Sequence, residues 1–274
     1  MKRRCLLTAT SLLALAFGIG APTAASVGAT APALLHHPIV VVGANQSNNW
    51  SGYNQGTVEQ NGKLFNAVTG TWIVPTAKAH KAGENEYSSS WVGIGGGCVT
   101  ADCSVTDGTL IQAGTEQDVN SKGRASYSAW WELIPAPSIT ISGFPVRAGD
   151  VMFVSISENP PGSEVWTIVV KNLTTGKTFT QTVPYSSTHA TAEWIEETPV
   201  VVDSNGNVSV GPLPSLGTVR FSGASTNGAS AGLKSPEAIQ LVDFNGNVLA
   251  TPSAPKAGTA FNDCTYATSC ASPR

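Results

Sequence analysis

Glu193 stands in the stretch ATAEWIEE, residues 190–197. In an extended strand successive side chains alternate, so Ala192, Trp194 and Glu196 share one face and Glu193, Ile195 and Glu197 the other. A carboxylate between a tryptophan and an isoleucine is either a solvated edge group or one that moves protons to and from a reacting water. Two further stretches carry candidate partners. TLIQAGTE puts Leu110, Gln112 and Gly114 on one face, which leaves an amide among small and apolar neighbours. SYSAWWELIP puts Ser128, Trp130 and Glu132 on one face, with Tyr127, Ala129 and Trp131 on the other. Aromatic side chains with a glutamate and an amide on strand faces can line a cleft. The plainer reading is the ordinary surface decoration of a β-sheet.

Other hydrolytic signatures fail on context. The histidines are His36, His37, His80 and His189, without the spacing of a helical H-E-x-x-H metal site. Gly228-Ala229-Ser230-Ala231-Gly232 fits G-x-S-x-G, but that motif has meaning only on the strand-to-helix elbow of an α/β sheet. In a run of Gly, Ala, Ser and Asn it reads as a loop. No D-[ST]-G pair is present, and Asp107-Gly108 and Asp150 lack that context. No cofactor motif is found, so neither metal nor cofactor is expected.

The elements that must position these residues are strands. The 274-residue chain has 28 Gly and 17 Pro, and only 12% of its residues are charged, about half the usual share. With 41% hydrophobic residues and 7 Trp it has the material for a core. Short alternating runs recur between turn signals, from NNWSGYNQG and KLFNAVTGTWIVP onward. Hairpins are predicted at Thr175-Gly176 and at Asn245-Gly246. No 3.6-residue apolar pattern persists beyond a turn or two. About a dozen strands without a repeat or an internal boundary suit one domain of two packed antiparallel sheets. The net charge of −3, with no basic cluster after the first residues, excludes a nucleic-acid footprint.

The first 25 residues read as a signal peptide: MKRRC, then LLTATSLLALAFGIGA, then the small residues PTAAS. The apolar run is short for a membrane anchor, and no second one follows, so no membrane association is expected once it is removed. Residues 26–44 read as a leader or short propeptide, and 45–274 as the folded domain. A secreted, extracellular chain should pair its cysteines. Cys5 lies in the signal; Cys98 with Cys103 and Cys264 with Cys270 is the preferred connectivity of three. A four-cysteine zinc site is the rival, although CVTADC and CTYATSC are looser than the usual zinc knuckle. Sequons occur at Asn49, Asn172 and Asn207.

The segments NWSGY, TGTWIVP, SSSWVGIGG, LIQAGTE, YSAWWELIP, KNLTTG and TAEWIEE, in this order from about Asn48 to about Asp243, resemble the eqolisins, the glutamic peptidases. Each is weak alone; seven in order are a strong signal. The resemblance implies a concanavalin-like, jelly-roll-type all-β sandwich, secreted as a precursor and acting as an acid endopeptidase on protein or peptide substrates. It implies a catalytic dyad of Gln112 and Glu193, a cleft tryptophan at Trp91, and a match of the AWYE stretch to Ala129, Trp130, Trp131 and Glu132. Trp91, Trp130 and Glu132 are thus expected to contact substrate or support the dyad. Well-known fungal members carry aspartates where this chain has Gly95 and Ser128, which puts the pH profile in question. Nothing in the chain calls for an oligomer, so a monomer is expected. The rival functions on such a sandwich are a lectin-like carbohydrate-binding module and a glycoside hydrolase pairing Glu193 with Glu132.

Overall fold

The computed structural model describes residues 33–202 and 208–274; the expected signal peptide and the sequon at Asn207 lie outside them. The strands in chain order are β1 (Ala33–Leu35), β2 (Val41–Gly43), β3 (Gln46–Ser47), β4 (Trp50–Gly56), β5 (Ala67–Ile73), β6 (Ser89–Gly95), β7 (Leu110–Val119), β8 (Ala125–Leu133), β9 (Ile139–Thr140) and β10 (Val151–Glu158). They continue as β11 (Val165–Asn172), β12 (Lys177–Pro184), β13 (Thr191–Glu197), β14 (Val200–Val202), β15 (Val208–Val210), β16 (Thr218–Thr226), β17 (Ala229–Ser230), β18 (Ala238–Val242), β19 (Val248–Pro252) and β20 (Phe261–Thr265). One 3-10 turn, Ser235–Glu237, is the only helical element among the described residues.

The all-β expectation holds. One antiparallel sheet runs β4–β13–β6–β7–β8–β9. The facing sheet runs β12–β11–β10–β5–β16–β20–β19. β18 joins the two, pairing with β4 at one end and β19 at the other. Both predicted hairpins are present, as β11–β12 and β18–β19, with Gly176 at φ 76° and Gly246 at φ 80° supplying the left-handed turn residue. The G-x-S-x-G run forms the exposed hairpin end at β17, with no helix behind it. Both expected disulfides are formed, Cys98–Cys103 and Cys264–Cys270, and no cluster suited to a metal occurs among the described residues.

The alternation read from sequence decides which face meets which. Val92 and Ile94 of β6, Ala113 of β7 and Trp194 of β13 pack inward against Val68, Trp72, Val154, Trp166, Ile168 and Phe221 of the facing sheet. Trp72 Nε1 donates to Thr115 Oγ1 at 3.0 Å and Trp194 Nε1 to the Thr69 carbonyl at 2.7 Å, so these two buried indoles keep partners. The other face of the β4–β13–β6–β7–β8 sheet carries Trp50, Trp91, Leu110, Trp130 and Ile195, and it is also covered, by Ile39 and Val41. Ile39 and Val41, within the described part of the expected leader, therefore lie packed against the sandwich. Two sequons sit in this packing: Asn49 and Asn172 are fully buried, and their side chains hold backbone groups of Val40, Thr174 and Thr175. In the folded chain neither is open to glycosylation.

Candidate active site

Register assembles the site. Asn54 of β4 pairs opposite Glu193 of β13, Glu193 opposite Gly93 of β6, Gly93 opposite Gln112 of β7, and Gln112 opposite Glu132 of β8. Directly opposed residues share a face, so five strands place Asn54, Glu193, Gly93, Gln112 and Glu132 in one row. The next row holds Ile195, Trp91, Gly114 and Trp130, and the next Glu197, Ser89, Glu116 and Ser128. All five site residues named from sequence, Gln112, Glu193, Trp91, Trp130 and Glu132, therefore lie on one face.

Gly93 was not singled out by its sequence, yet it decides the shape of the row. The strand between Glu193 and Gln112 presents no side chain there. A Cβ at Gly93 would sit 2.9 Å from Trp91 Cζ3, 3.1 Å from Leu110 Cδ1 and 3.2 Å from Gln112 Cβ. The interval between the two candidate residues is thus a gap in the row of side chains that Trp91 and Leu110 lean over, too tight to take a methyl. Gly93→Ala is expected to lower kcat on a peptide substrate by about 100-fold, the scale of a small misplacement of reacting groups. Steady-state kinetics beside the melting temperature checks this; an unchanged kcat would show that the gap is irrelevant.

The Gln112 amide is held. Its Nε2 donates to Glu132 Oε2 at 2.6 Å, while its Oε1 has no partner. Both carboxylate oxygens of Glu193 are buried without a hydrogen-bond partner among the described residues. A buried carboxyl with no partner resists ionisation. Burial, with the nearby Asp107 carboxylate adding to it, pushes Glu193 well above the usual carboxylate range. Burial likewise pushes Glu132 up to about 7, against the opposing pull of His36 and of the Gln112 amide.

On the Asn54 side the wall is the disulfide loop. Asn54 Nδ2 donates to the Cys98 carbonyl and Asn54 Oδ1 accepts the Cys98 N–H, each at 2.9 Å. Gly97 passes so close that a Cβ would lie 1.7 Å from Asn54 Oδ1 and 2.7 Å from Glu193 Oε1. Asp107 returns the loop by donating its N–H to the Gly97 carbonyl, and its carboxylate accepts Thr109 N–H and the Thr188 hydroxyl. A cavity of ≈ 140 Å³ lies beyond, lined by Asn54, Gly56, Cys98, Cys103, Glu237 and Ile239. Gly95, one of the two positions where this chain departs from the pattern it resembles, has φ 91°, and a Cβ there would meet the Thr109 carbonyl at 2.1 Å, so this backbone path requires glycine.

The remaining rows hold residues that sequence reading passed over. Trp91 Nε1 donates to Glu197 Oε2 at 2.8 Å, and Trp130 Nε1 to Ser89 Oγ at 3.0 Å. Glu116 and Glu197 lie four residues along from Gln112 and Glu193, hence in phase with them. That spacing was a readable signal, though only for strands already known to be neighbours.

Residues 48–265 match the Peptidase A4 family. The chain belongs to this family. Scytalidopepsin B from Scytalidium lignicola is 30% identical to it over 210 residues, covering 71% of this chain and 74% of that protein. A scytalido-glutamic peptidase solved with a transition state analog inhibitor superposes with a TM-score of 0.59 at 22% identity, covering 80% of this chain and 98% of the other. SCP-B, a member of the eqolisin family solved in complex with the tripeptide Ala-Ile-His, gives 0.55 at 23%, covering 80% and 98%. Aspergilloglutamic peptidase from Aspergillus niger gives 0.52 at 26%, covering 66% and 99%. The chain is thus a glutamic endopeptidase of the eqolisin fold, and the lectin-like alternative falls away. This peptidase A4 member keeps the glutamine, the glutamate and both tryptophans of the motifs that carried the resemblance.

Proposed function

We propose that the chain is a secreted acid endopeptidase in which Glu193 activates the attacking water and Gln112 stabilises the oxyanion. The observation that carries this is the partnerless carboxylate of Glu193, set in one row with the Gln112 amide across the bare position Gly93. A peptide carbonyl is a weak electrophile and its amine a poor leaving group. Glu193 takes a proton from water as it attacks and returns it to the leaving nitrogen. The second amide N–H of Gln112 donates to the developing oxyanion, while the first, donated to Glu132, holds that amide in place. An amide suits acid because it does not titrate, whereas a second carboxylate would share the first one's proton. Trp91 and Trp130 form the floor beside the dyad, on which substrate side chains rest. Export fits the two disulfides, which persist in oxidising compartments.

A glycosidase pairing Glu193 with Glu132 is disfavoured. Their backbones are three strand spacings apart, about 14 Å. The Gln112 amide stands between them, bonded to Glu132. The test is hydrolysis of denatured casein and of polysaccharides at about pH 3–4, bracketing the free glutamate pKa, with wild type beside Gln112→Ala. Casein cleavage that falls by about 100-fold or more in the variant, the cost of losing one oxyanion donor, supports the assignment. Polysaccharide cleavage, or full casein cleavage by Gln112→Ala, overturns it.

A further inference from the structure

Past Asn54, the end of the row that holds Glu193, lies the cavity of ≈ 140 Å³, between the Cys98–Cys103 loop, the chain after β4 and the Ser235–Glu237 turn. It is on the face that carries Glu193, because its lining residue Ile239 belongs to the apolar cluster of Trp91, Leu110, Trp130 and Ile195. Two bare positions let the loop settle there. A Cβ at Gly56 would meet the Val99 carbonyl oxygen at 2.4 Å and the Cys98 one at 2.6 Å, and Gly97 crosses Asn54 as closely. The loop is then tied down. Cys98 is bonded to Cys103 and bridges to Thr106, and the Ala101 N–H donates to Glu59 Oε1 at 2.8 Å. The cavity is therefore formed by the fold itself, before any guest arrives.

The polar groups around it are already engaged. Asn54 holds Cys98 by both ends of its amide. Asn45 Nδ2 donates to the Pro236 and Ala238 carbonyls at 2.8 and 2.9 Å. Glu237 accepts the Lys234 N–H and the Gln60 amide, each at 2.8 Å. What is left for a guest is apolar: the disulfide, Ala101, Pro236 and Ile239. A basic side chain would meet Lys234 and an acidic one Glu59 and Glu237, and either would lose its hydration against these walls. The volume is close to that of a cavity of about 150 Å³ that takes up a benzene ring. Asn54 stands one strand spacing, about 4.8 Å, from Glu193, and an extended peptide advances about 3.3 Å per residue. A substrate residue one or two positions from the scissile bond thus reaches the cavity.

We propose that this cavity is a specificity pocket: it takes an uncharged apolar side chain, leucine or phenylalanine in size, from the substrate residue one or two positions from the scissile bond, with Ala101, Ile239 and the Cys98–Cys103 bond as the walls that discriminate. This deepens the peptidase reading and rests on it for the position of the scissile bond.

The test reads pocket and chemistry separately. Denatured casein is digested at about pH 3–4, around the free glutamate pKa, and the cut sites are read by mass spectrometry for wild type beside Ala101→Phe and Ile239→Ala. Ala101 is exposed, so a phenyl ring there fills the pocket from the loop at little risk to folding, whereas Ile239 is buried and its truncation enlarges the pocket. One methylene more or less in an apolar pocket changes kcat/KM by about 10–200-fold. In wild type, one position within two residues of the cut should therefore favour Leu, Met and Phe over Ala by at least about tenfold. Ala101→Phe should abolish that preference, and Ile239→Ala should move it from Leu toward Phe and Trp. A preference unchanged in both variants overturns the pocket, as does a wild type that favours Lys, Arg, Asp or Glu at that position.

A binding measurement needs no turnover. N-acetyl-leucinamide is titrated into the full chain carrying Glu193→Gln while the backbone amide resonances of residues 97–107 are followed by NMR. They should shift with this probe and not with N-acetyl-glycinamide, and they should stay still when Ala101→Phe is added. Resonances elsewhere in β6 and β13 report folding in the same spectra, so a misfolded variant cannot imitate a filled pocket. If casein is never cut but the leucine probe shifts the loop and Ala101→Phe prevents it, the peptidase chemistry is wrong and the pocket stands. If casein is cut with no side-chain preference within two residues of the cut, the pocket is wrong and the chemistry stands.

Discussion

Glu193→Gln is expected to lose about 10²–10⁴-fold in kcat/KM on denatured casein in acid, the range for removal of a positioned general acid–base. The same change is expected to raise the melting temperature at neutral pH. The two signs share one cause. Glu193 is fully buried, neither of its oxygens has a partner, and burial drives its pKa up. Above the titration of the unfolded carboxylate, folding must keep this group protonated or bury a charge, and either opposes the native state. Glutamine is nearly isosteric and never ionises, so the opposition disappears along with the base. A variant that is inactive because it is damaged would melt lower. A stabilised, inactive variant identifies a residue whose cost to the fold is repaid only in catalysis. A variant that cleaves as fast as wild type would remove Glu193 from the mechanism.

Stability of the whole chain is expected to be greatest near pH 4 and to fall steadily toward about pH 8. Burial raises Asp263 to about 7 and Asp118 to about 8, the latter with the Glu116 charge contributing, and burial raises Glu196 well above its usual range. For an acid whose folded pKa is raised, both states are protonated below the unfolded pKa and nothing is gained or lost. As pH climbs above about 4 the unfolded state ionises first, the native state holds more protons, and stability declines until the folded pKa is passed. A pKa moved from about 4 to about 7, as at Asp263, corresponds to a cost on the order of 4 kcal/mol. His36 adds the same sign higher up, since its raised pKa keeps a proton in the native state that the unfolded state releases above about pH 6.5. Asp263 accepts Ser51 Oγ at 2.9 Å, while its second oxygen is partnerless. Asp263→Asn should therefore flatten the alkaline limb. Urea midpoints at about pH 4, 6 and 8, with the slope m unchanged, test this; a variant whose midpoints fall as steeply as wild type would assign the decline elsewhere.

How much of this was legible depends on the range over which each feature is encoded. The faces of Glu193, Gln112 and Trp130 follow from period-2 alternation, a local property, and the structure reproduces them. The turns at Gly176 and Gly246 and the two short disulfide loops are local as well. Gly93 was opaque, because a glycine in a strand reads as a weak point until the strands on either side are known. The pairing of Glu116 and Glu197 around His36 was equally hidden: three segments far apart in the chain meet there, and no spacing within one of them reports it. Ile39 and Val41 share the apolar character of the residues before them, so composition assigned them to a leader or short propeptide, and packing places them on the face that carries Glu193 and Gln112.

The single bare strand between Glu193 and Gln112 also sets a metric. The interval between the two is two steps of the antiparallel ladder, about 9.6 Å between backbones, and it is written in N–H···O=C bonds common to every sequence that forms the sheet. Side-chain drift elsewhere leaves that interval untouched. A chain 30% identical to Scytalidopepsin B over 210 residues can change most of its side chains and still keep this interval, because what the ladder fixes is a backbone ruler with one unmarked division.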